Sequence, residues 1–174
     1  MRPIVAVLVL VITVGCGAAP TASAVAACVP TRPTGDTPPG ENPAESSLVY
    51  SDGRLYTVLW PNGEILASPD VIEPDGTIDI KFPWWRAAGV GAAGDLQITG
   101  HEINTGATVT ASIPGGYGQR VQPTGILFPT EGCYEITAKS GDALLTFVTK
   151  VKKVDAASPS AWSNSAAISS PVQT

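Results

Sequence analysis

The sequence predicts an all-β protein whose central domain is an immunoglobulin-like β-sandwich of about seven or eight short antiparallel strands. Composition is the first reason: charged residues make up only 14% of the 174 residues, while Gly (18) and Pro (16) are frequent. Many turns and little charge suit a small all-β domain better than a helical one, and the length is enough for one domain and hardly two. The second reason is periodicity: short runs alternating apolar with polar residues recur about every ten residues, separated by Gly, Pro, Asn and Asp. The third is the stretch from Phe128 to Val154. Tyr134, Ile136 and Ala138 alternate with Glu135, Thr137 and Lys139, Ser140-Gly141-Asp142 breaks the run, and Leu145, Phe147, Thr149 and Val151 line one face of the return. That is an antiparallel hairpin with one buried face. Its opening, Gly132-Cys133-Tyr134 after Pro129, fits the penultimate strand of such a sandwich, where a tyrosine hydroxyl ties the preceding corner to the strand.

Taken in order, residues 1–15 read as a signal peptide: one Arg, an apolar run of roughly eleven residues, then small residues, too short for a spanning helix of about twenty. Thr13-Val14-Gly15-Cys16 resembles the lipobox of bacterial lipoproteins, in which the cysteine sulfur takes a lipid and the chain is cut just before it. Thr13 stands where Leu is usual. Ala22-Ser23-Ala24 offers ordinary signal peptidase an alternative site that would release a soluble protein, and Val25-Ala26-Ala27-Cys28 fits a lipobox by letters but lies far beyond the apolar run. Residues 16–47 form a Pro-rich tether or strap with little apolar surface to bury.

The sandwich is expected over residues 48–154. Leu48 to Tyr50 is short. Leu55–Trp60, the turn Pro61-Asn62-Gly63 and Glu64–Ala67 read as a hairpin. Thr77–Phe82 places Ile78, Ile80 and Phe82 on one face. Asp95–Ile103, a turn at Asn104-Thr105-Gly106 and Thr108–Ile113 read as a second hairpin. Pro114–Gln122 is a glycine-rich loop around Tyr117, and Gly125–Phe128 leads into the hairpin described above. The Ser/Ala-rich tail, residues 155–174, reads as disordered.

Three cysteines in an exported chain leave one odd. If Cys16 carries lipid, Cys28 and Cys133 remain to pair where disulfides persist. Such a bridge closes a loop of about a hundred residues, worth up to roughly 4–5 kcal/mol in the loop-entropy model. The alternative is two separate thiols.

Several motifs together resemble a group of uncharacterised exported bacterial proteins: CVPTRPTG at Cys28, PDG at Pro74, KFPWWR at Lys81, GYG at Gly116 and FPTEGCYE at Phe128. The resemblance spans roughly residues 28–154, with Tyr134 where the group has Trp. It implies an extracytoplasmic location and an immunoglobulin-like domain, and carries over no catalytic residue.

Little points to chemistry. A net charge of -5 without a basic stripe argues against a nucleic-acid partner. One histidine, His101, reads as an exposed strand residue, and no cofactor or metal site is expected: Asp70, Glu73 and Asp75 lack the alternating oxygen ligands of a calcium loop. With one histidine and no GxSxG, a serine triad is not supported and no catalytic residue is assigned. The candidate ligand-binding residues are Trp84, Trp85, Arg86 and Tyr117. Two adjacent tryptophans on extended backbone face opposite ways, so one can enter the core while the other offers a stacking platform or lies under the strap. Three readings follow: a non-enzymatic binding module lipid-anchored at the outer face of the membrane with an extracellular protein or glycan as partner, an envelope structural or stress-related lipoprotein without a small ligand, and a hydrolase using a carboxylate pair drawn from Asp75, Asp79, Glu102 and Glu131. A secreted soluble form is the alternative location.

Overall fold

The computed structural model describes residues 26–91, 95–117 and 121–155. The signal segment with Cys16, and the tail from residue 156, lie outside the described residues. Among the described residues nine strands form two packed sheets: β1 (Val49–Ser51), β2 (Leu55–Val58), β3 (Glu64–Ala67), β4 (Ile78–Arg86), β5 (Gln97–Glu102), β6 (Thr110–Ser112), β7 (Val121–Phe128), β8 (Gly132–Ser140) and β9 (Ala143–Lys153). One sheet has the order β1-β2-β4-β7-β6, the other β3-β9-β8-β5. With β2, β4, β7 and β6 as strands A, B, E and D, and β5, β8 and β9 as C, F and G, this is the immunoglobulin-like sandwich. β1 is an addition at one edge, and β3 is a second half of the first strand, moved to the opposite sheet.

The inward residues of both sheets make one core. Phe82 and Trp84 of β4 meet Phe147 of β9 at ring distances of 5.9 and 6.2 Å, and Trp60 lies edge-on to Phe82 at 5.0 Å. Trp84 buries its polar edge without cost to hydrogen bonding, since its indole N–H donates to Thr124 Oγ1 at 3.0 Å. The hairpin β8–β9 pairs in the expected register, Ile136 opposite Phe147 and Ala138 opposite Leu145. Tyr134 makes the corner contact: its hydroxyl donates to the Thr130 carbonyl at 2.8 Å and accepts from the Thr130 N–H at 3.3 Å.

Two prolines shape the first sheet. Pro83 of β4 stands directly opposite Pro123 of β7. In an antiparallel ladder, alternate residues turn their backbone groups to opposite neighbours. Thr57 Oγ1 donates to the Pro83 carbonyl at 2.9 Å and the Ala87 N–H donates to the Arg54 carbonyl at 2.8 Å, so the odd-numbered residues of β4 face β2 rather than β7. Pro83 therefore has no N–H where β2 would need one. Pairing of β2 with β4 runs only from Leu55↔Arg86 to Thr57↔Trp84. The Leu59 N–H then bonds the Leu48 carbonyl, and left-handed residues Asn62 (φ 58°) and Gly63 (φ 68°) swing the chain across to the other sheet. Pro123 does the same on the far side. Pairing of β6 with β7 stops at Ser112↔Gly125, and the Gln122 side-chain amide fills the gap by donating to the Pro114 carbonyl at 2.8 Å and the Pro123 carbonyl at 3.1 Å.

The structure corrects two expected hairpins. Leu55–Trp60 and Glu64–Ala67 do not pair: β3 runs parallel to β9, with Glu64 opposite Lys150 and Ala67 opposite Lys153, so the sandwich is mixed rather than wholly antiparallel. β5 and the following segment begin as a hairpin, with the Glu102 N–H bonded to the Ala107 carbonyl at 2.8 Å and the Val109 N–H to the Gly100 carbonyl at 3.1 Å. They then part, and β6 joins β7 in the other sheet. Alternation fixes which face a residue presents but not which strand lies beside it. β7 also starts earlier than expected, inside the loop assigned to Pro114–Gln122.

Phe147 is 1% exposed at the centre of the aromatic cluster. Phe147→Ala is expected to cost about 3–5 kcal/mol in urea or guanidinium denaturation. A loss below about 1 kcal/mol would show that β9 does not pack against Phe82 and Trp84.

Candidate functional site

The Pro-rich segment, having no core of its own, is held by discrete contacts. Cys28 is disulfide-bonded to Cys133 at the start of β8, across a sequence separation of 105. Gly63 then receives the segment closely: a Cβ there would lie 2.6 Å from both Pro30 Cβ and the Thr31 carbonyl oxygen. Thr31 bonds the free edge of β9 twice, its N–H donating to the Val148 carbonyl at 2.8 Å while its Oγ1 accepts from the Val148 N–H at 2.9 Å. The Thr34 and Gly35 N–H groups both donate to the Val49 carbonyl of β1. Asp36 accepts from Ser51 and Thr34 hydroxyls, each at 2.6 Å, and these bonds, Ser51 first, hold its carboxyl below the usual aspartate value. The strap thus runs from the outer face of one sheet, over the side of the sandwich, to the other.

Its far end reaches one of the paired tryptophans. Trp85 is half-buried on the outer face of β4, and its indole N–H donates to Glu41 Oε1 at 3.1 Å. Trp84 is fully buried and Arg86 is 7% exposed, so neither offers a surface to a ligand. Tyr117 is 49% exposed, in a separate recess of about 390 Å³ whose lining includes Leu96, Ile113 and Gln122 but none of the other three. The four candidate residues are not brought together. The tryptophan pair divides into one core ring and one ring held by the strap.

A second group at the strap's root is Glu102. It is 5% exposed, and its carboxylate accepts from the N–H groups of Asn104 (2.9 Å), Thr105 (2.6 Å) and Cys133 (3.3 Å). Burial is the largest single influence and pushes its carboxyl up. The donors from Thr105, Cys133 and Asn104 together outweigh that and hold it below the usual glutamate value. His101 is exposed on the outer face of β5.

The site that sequence reasoning missed lies where the first strand changes sheets. Once β2 leaves β4, a groove of about 460 Å³ opens between β4 and β3. Trp60, Ile65, Leu66, Val71 and Ile80 supply its apolar lining, and Ser68, Asp70, Glu73, Asp79 and Lys81 its polar part. Asp75 is not part of it, for its carboxylate closes its own turn by accepting from the Thr77 N–H and hydroxyl. The signals available were the proline inside an apolar strand and the Asn62-Gly63 kink.

Two outcomes test the strap and its root. Reduction, or Cys133→Ser, should release the Cys28 end, lower the melting temperature and raise acrylamide quenching of Trp85, while β8 and β9 stay paired. Unchanged quenching and melting would mean the strap is held without the bond. A carboxylate with a depressed folded pKa stabilises the fold above the unfolded value of about 4.3 and loses that contribution as pH falls through the folded pKa. The stability difference between the native protein and Glu102→Gln should therefore be about 1–3 kcal/mol at neutral pH and shrink on acidification below pH ~4. A difference independent of pH would show that the charge of Glu102 contributes nothing.

No protein-family model matches this chain, and no curated protein and no solved structure shows significant similarity to it.

Proposed function

We propose that the protein is a non-enzymatic extracytoplasmic interaction module, tethered to a bacterial membrane through lipid on Cys16, that binds an extracellular partner in the groove between β3 and β4. The observation that carries this reading is the groove itself. It is a concave recess lined by apolar and polar side chains in equal number, beside a stretch of β4 that β2 leaves unpaired. The Cys28–Cys133 bridge supports export, since such bonds persist outside the cytoplasm. Burial of Trp84 and Arg86, with the strap held on Trp85, leaves less of the aromatic platform expected for a sugar and moves the weight to the groove. The same burial favours the second reading, an envelope component that binds no small ligand.

Fractionation and a ligand screen separate these readings. The full-length chain should sediment with membranes and carry a lipidated N-terminus at Cys16, and Cys16→Ala should remove the lipid and release the protein or block its processing. A lipid-free mature chain beginning at Val25 would overturn the anchor. In a panel of peptides and glycans, a ligand that changes Trp60 fluorescence should lose at least tenfold in affinity against Leu66→Asp, a change at a side chain 41% exposed on the groove rim. A panel without any ligand sensitive to Leu66→Asp would overturn the binding module in favour of the structural reading.

A further inference from the structure

The groove has a feature that an ordinary pocket lacks: one wall is an unpaired strand edge. On the β2 side, β4 is paired only from Trp84 to Arg86. At its other end the bridge Ile72↔Ile78 occupies the same edge. Between them lie Asp79 to Phe82. The alternation established at Pro83 and Ala87 turns the N–H and C=O of Lys81 towards this side, away from β7. Among the described residues, no backbone hydrogen bond reaches Lys81 from the groove side. The groove lining bears three carboxylates, Asp70, Glu73 and Asp79, against one cation, Lys81.

On β9 the protein covers such an edge. Thr31 takes both backbone groups of Val148 on β9, and the Tyr50 hydroxyl donates to the Thr146 carbonyl at 3.1 Å. Exposed strand edges recruit other chains unless they are blocked, and short, charged edges are the usual block. The charges on this stretch are Asp79 and Lys81, and the carboxylates around Lys81 attract rather than repel a basic chain.

We infer that the groove takes a short extended segment of a partner protein, basic in character, which adds as a strand to β4 at Lys81 and sends alternate side chains towards Ile65, Val71 and Ile80. The inference rests on the reading of the groove as the binding site. Main-chain bonding to the Lys81 N–H and C=O supplies the register, apolar side chains fill the floor, and a lysine or arginine on the outward positions meets Asp70 and Glu73. This is recognition by strand addition, in which backbone bonds set affinity and alternate pockets set specificity. The excess of carboxylates favours a basic peptide over a neutral ligand, and an acidic peptide would meet like charge.

The test uses capped six-residue peptides that alternate valine with lysine or valine with glutamate, followed by Trp60 fluorescence and calorimetry on the oxidised protein. The valine–lysine peptide should bind, weaken at higher salt, and bind at least tenfold more tightly than the valine–glutamate peptide. Lys81→Pro removes the N–H that faces the groove and leaves the β4–β7 ladder intact, so it should weaken binding at least tenfold, while Lys81→Ala should bind as well as the native protein or better. Should Lys81→Pro not fold, N-methylation of alternate residues in the peptide blocks the same bonds and should abolish binding to the native protein. Equal binding by Lys81→Pro or by the methylated peptide would overturn strand addition. Failure of the valine–lysine peptide at millimolar concentration, with another ligand of the screen still sensitive to Leu66→Asp, would overturn the peptide and leave the groove as a site. Failure of every ligand there would overturn both.

Discussion

Two missing hydrogens organise one half of this sandwich. Pro83 and Pro123 face each other towards one end of the β4–β7 ladder, at a position where each turns its backbone away from the other. The central pairing therefore loses nothing, but both outer neighbours lose a donor. β2 and β6 each stop short, and both ends of the sheet are left to other devices: Thr57 and Gln122 side chains supply the missing bonds, and the chain after β2 crosses to the opposite sheet. Proline is ordinarily an edge residue in sheets. Here it sits in inner strands and makes edges of the outer ones. The groove between β3 and β4 is the space this leaves.

Closure of the remaining side follows from the opposite strategy. The sandwich does not carry a disulfide between its sheets. Its centre is filled by Phe82, Trp84 and Phe147, and its one disulfide is spent at the periphery, on a segment that has too little apolar surface to hold itself. Once pinned, that segment needs only single contacts, such as Thr31 on Val148 and Glu41 on Trp85, because the entropy of bringing it near has already been removed. Glu102 serves the same root. It satisfies three N–H groups around the turn and the bridged strand, that of buried Cys133 among them.

Much of the architecture was legible in the sequence because alternation is a property of the chain alone. The hairpin from Gly132 to Lys153, the inward face of Ile78, Ile80 and Phe82 and the corner tyrosine follow from residue types and their spacing, whereas the pairing of Cys28 with Cys133 was expected only on the premise that Cys16 takes lipid. What could not be read was partnership between strands. Glu64–Ala67 alternates just as a hairpin return would, and only the positive φ angles at Asn62 and Gly63, together with a proline some twenty residues on, send it to the other sheet. The candidate residues lie apart for a related reason. Trp84 and Trp85 do face opposite sides, yet which face is covered depends on where the strap lies, and Tyr117 sits on a loop whose placement no local pattern fixes. The groove was invisible because its residues, from Trp60 to Lys81, are gathered by the sheet change.

The position of the disulfide also decides how the fold bears a mechanical load. Any pull on the chain ahead of residue 28 is delivered through sulfur to Cys133, at the start of a strand flanked on both sides by long ladders with β5 and β9. Everything between the two cysteines is bypassed. The strap, the short strand β1 and the weakly paired β2 would otherwise be the first to peel, one hydrogen bond at a time. With the bond in place they carry no tension, and the groove beside them keeps its shape while the domain is held by its amino-terminal end.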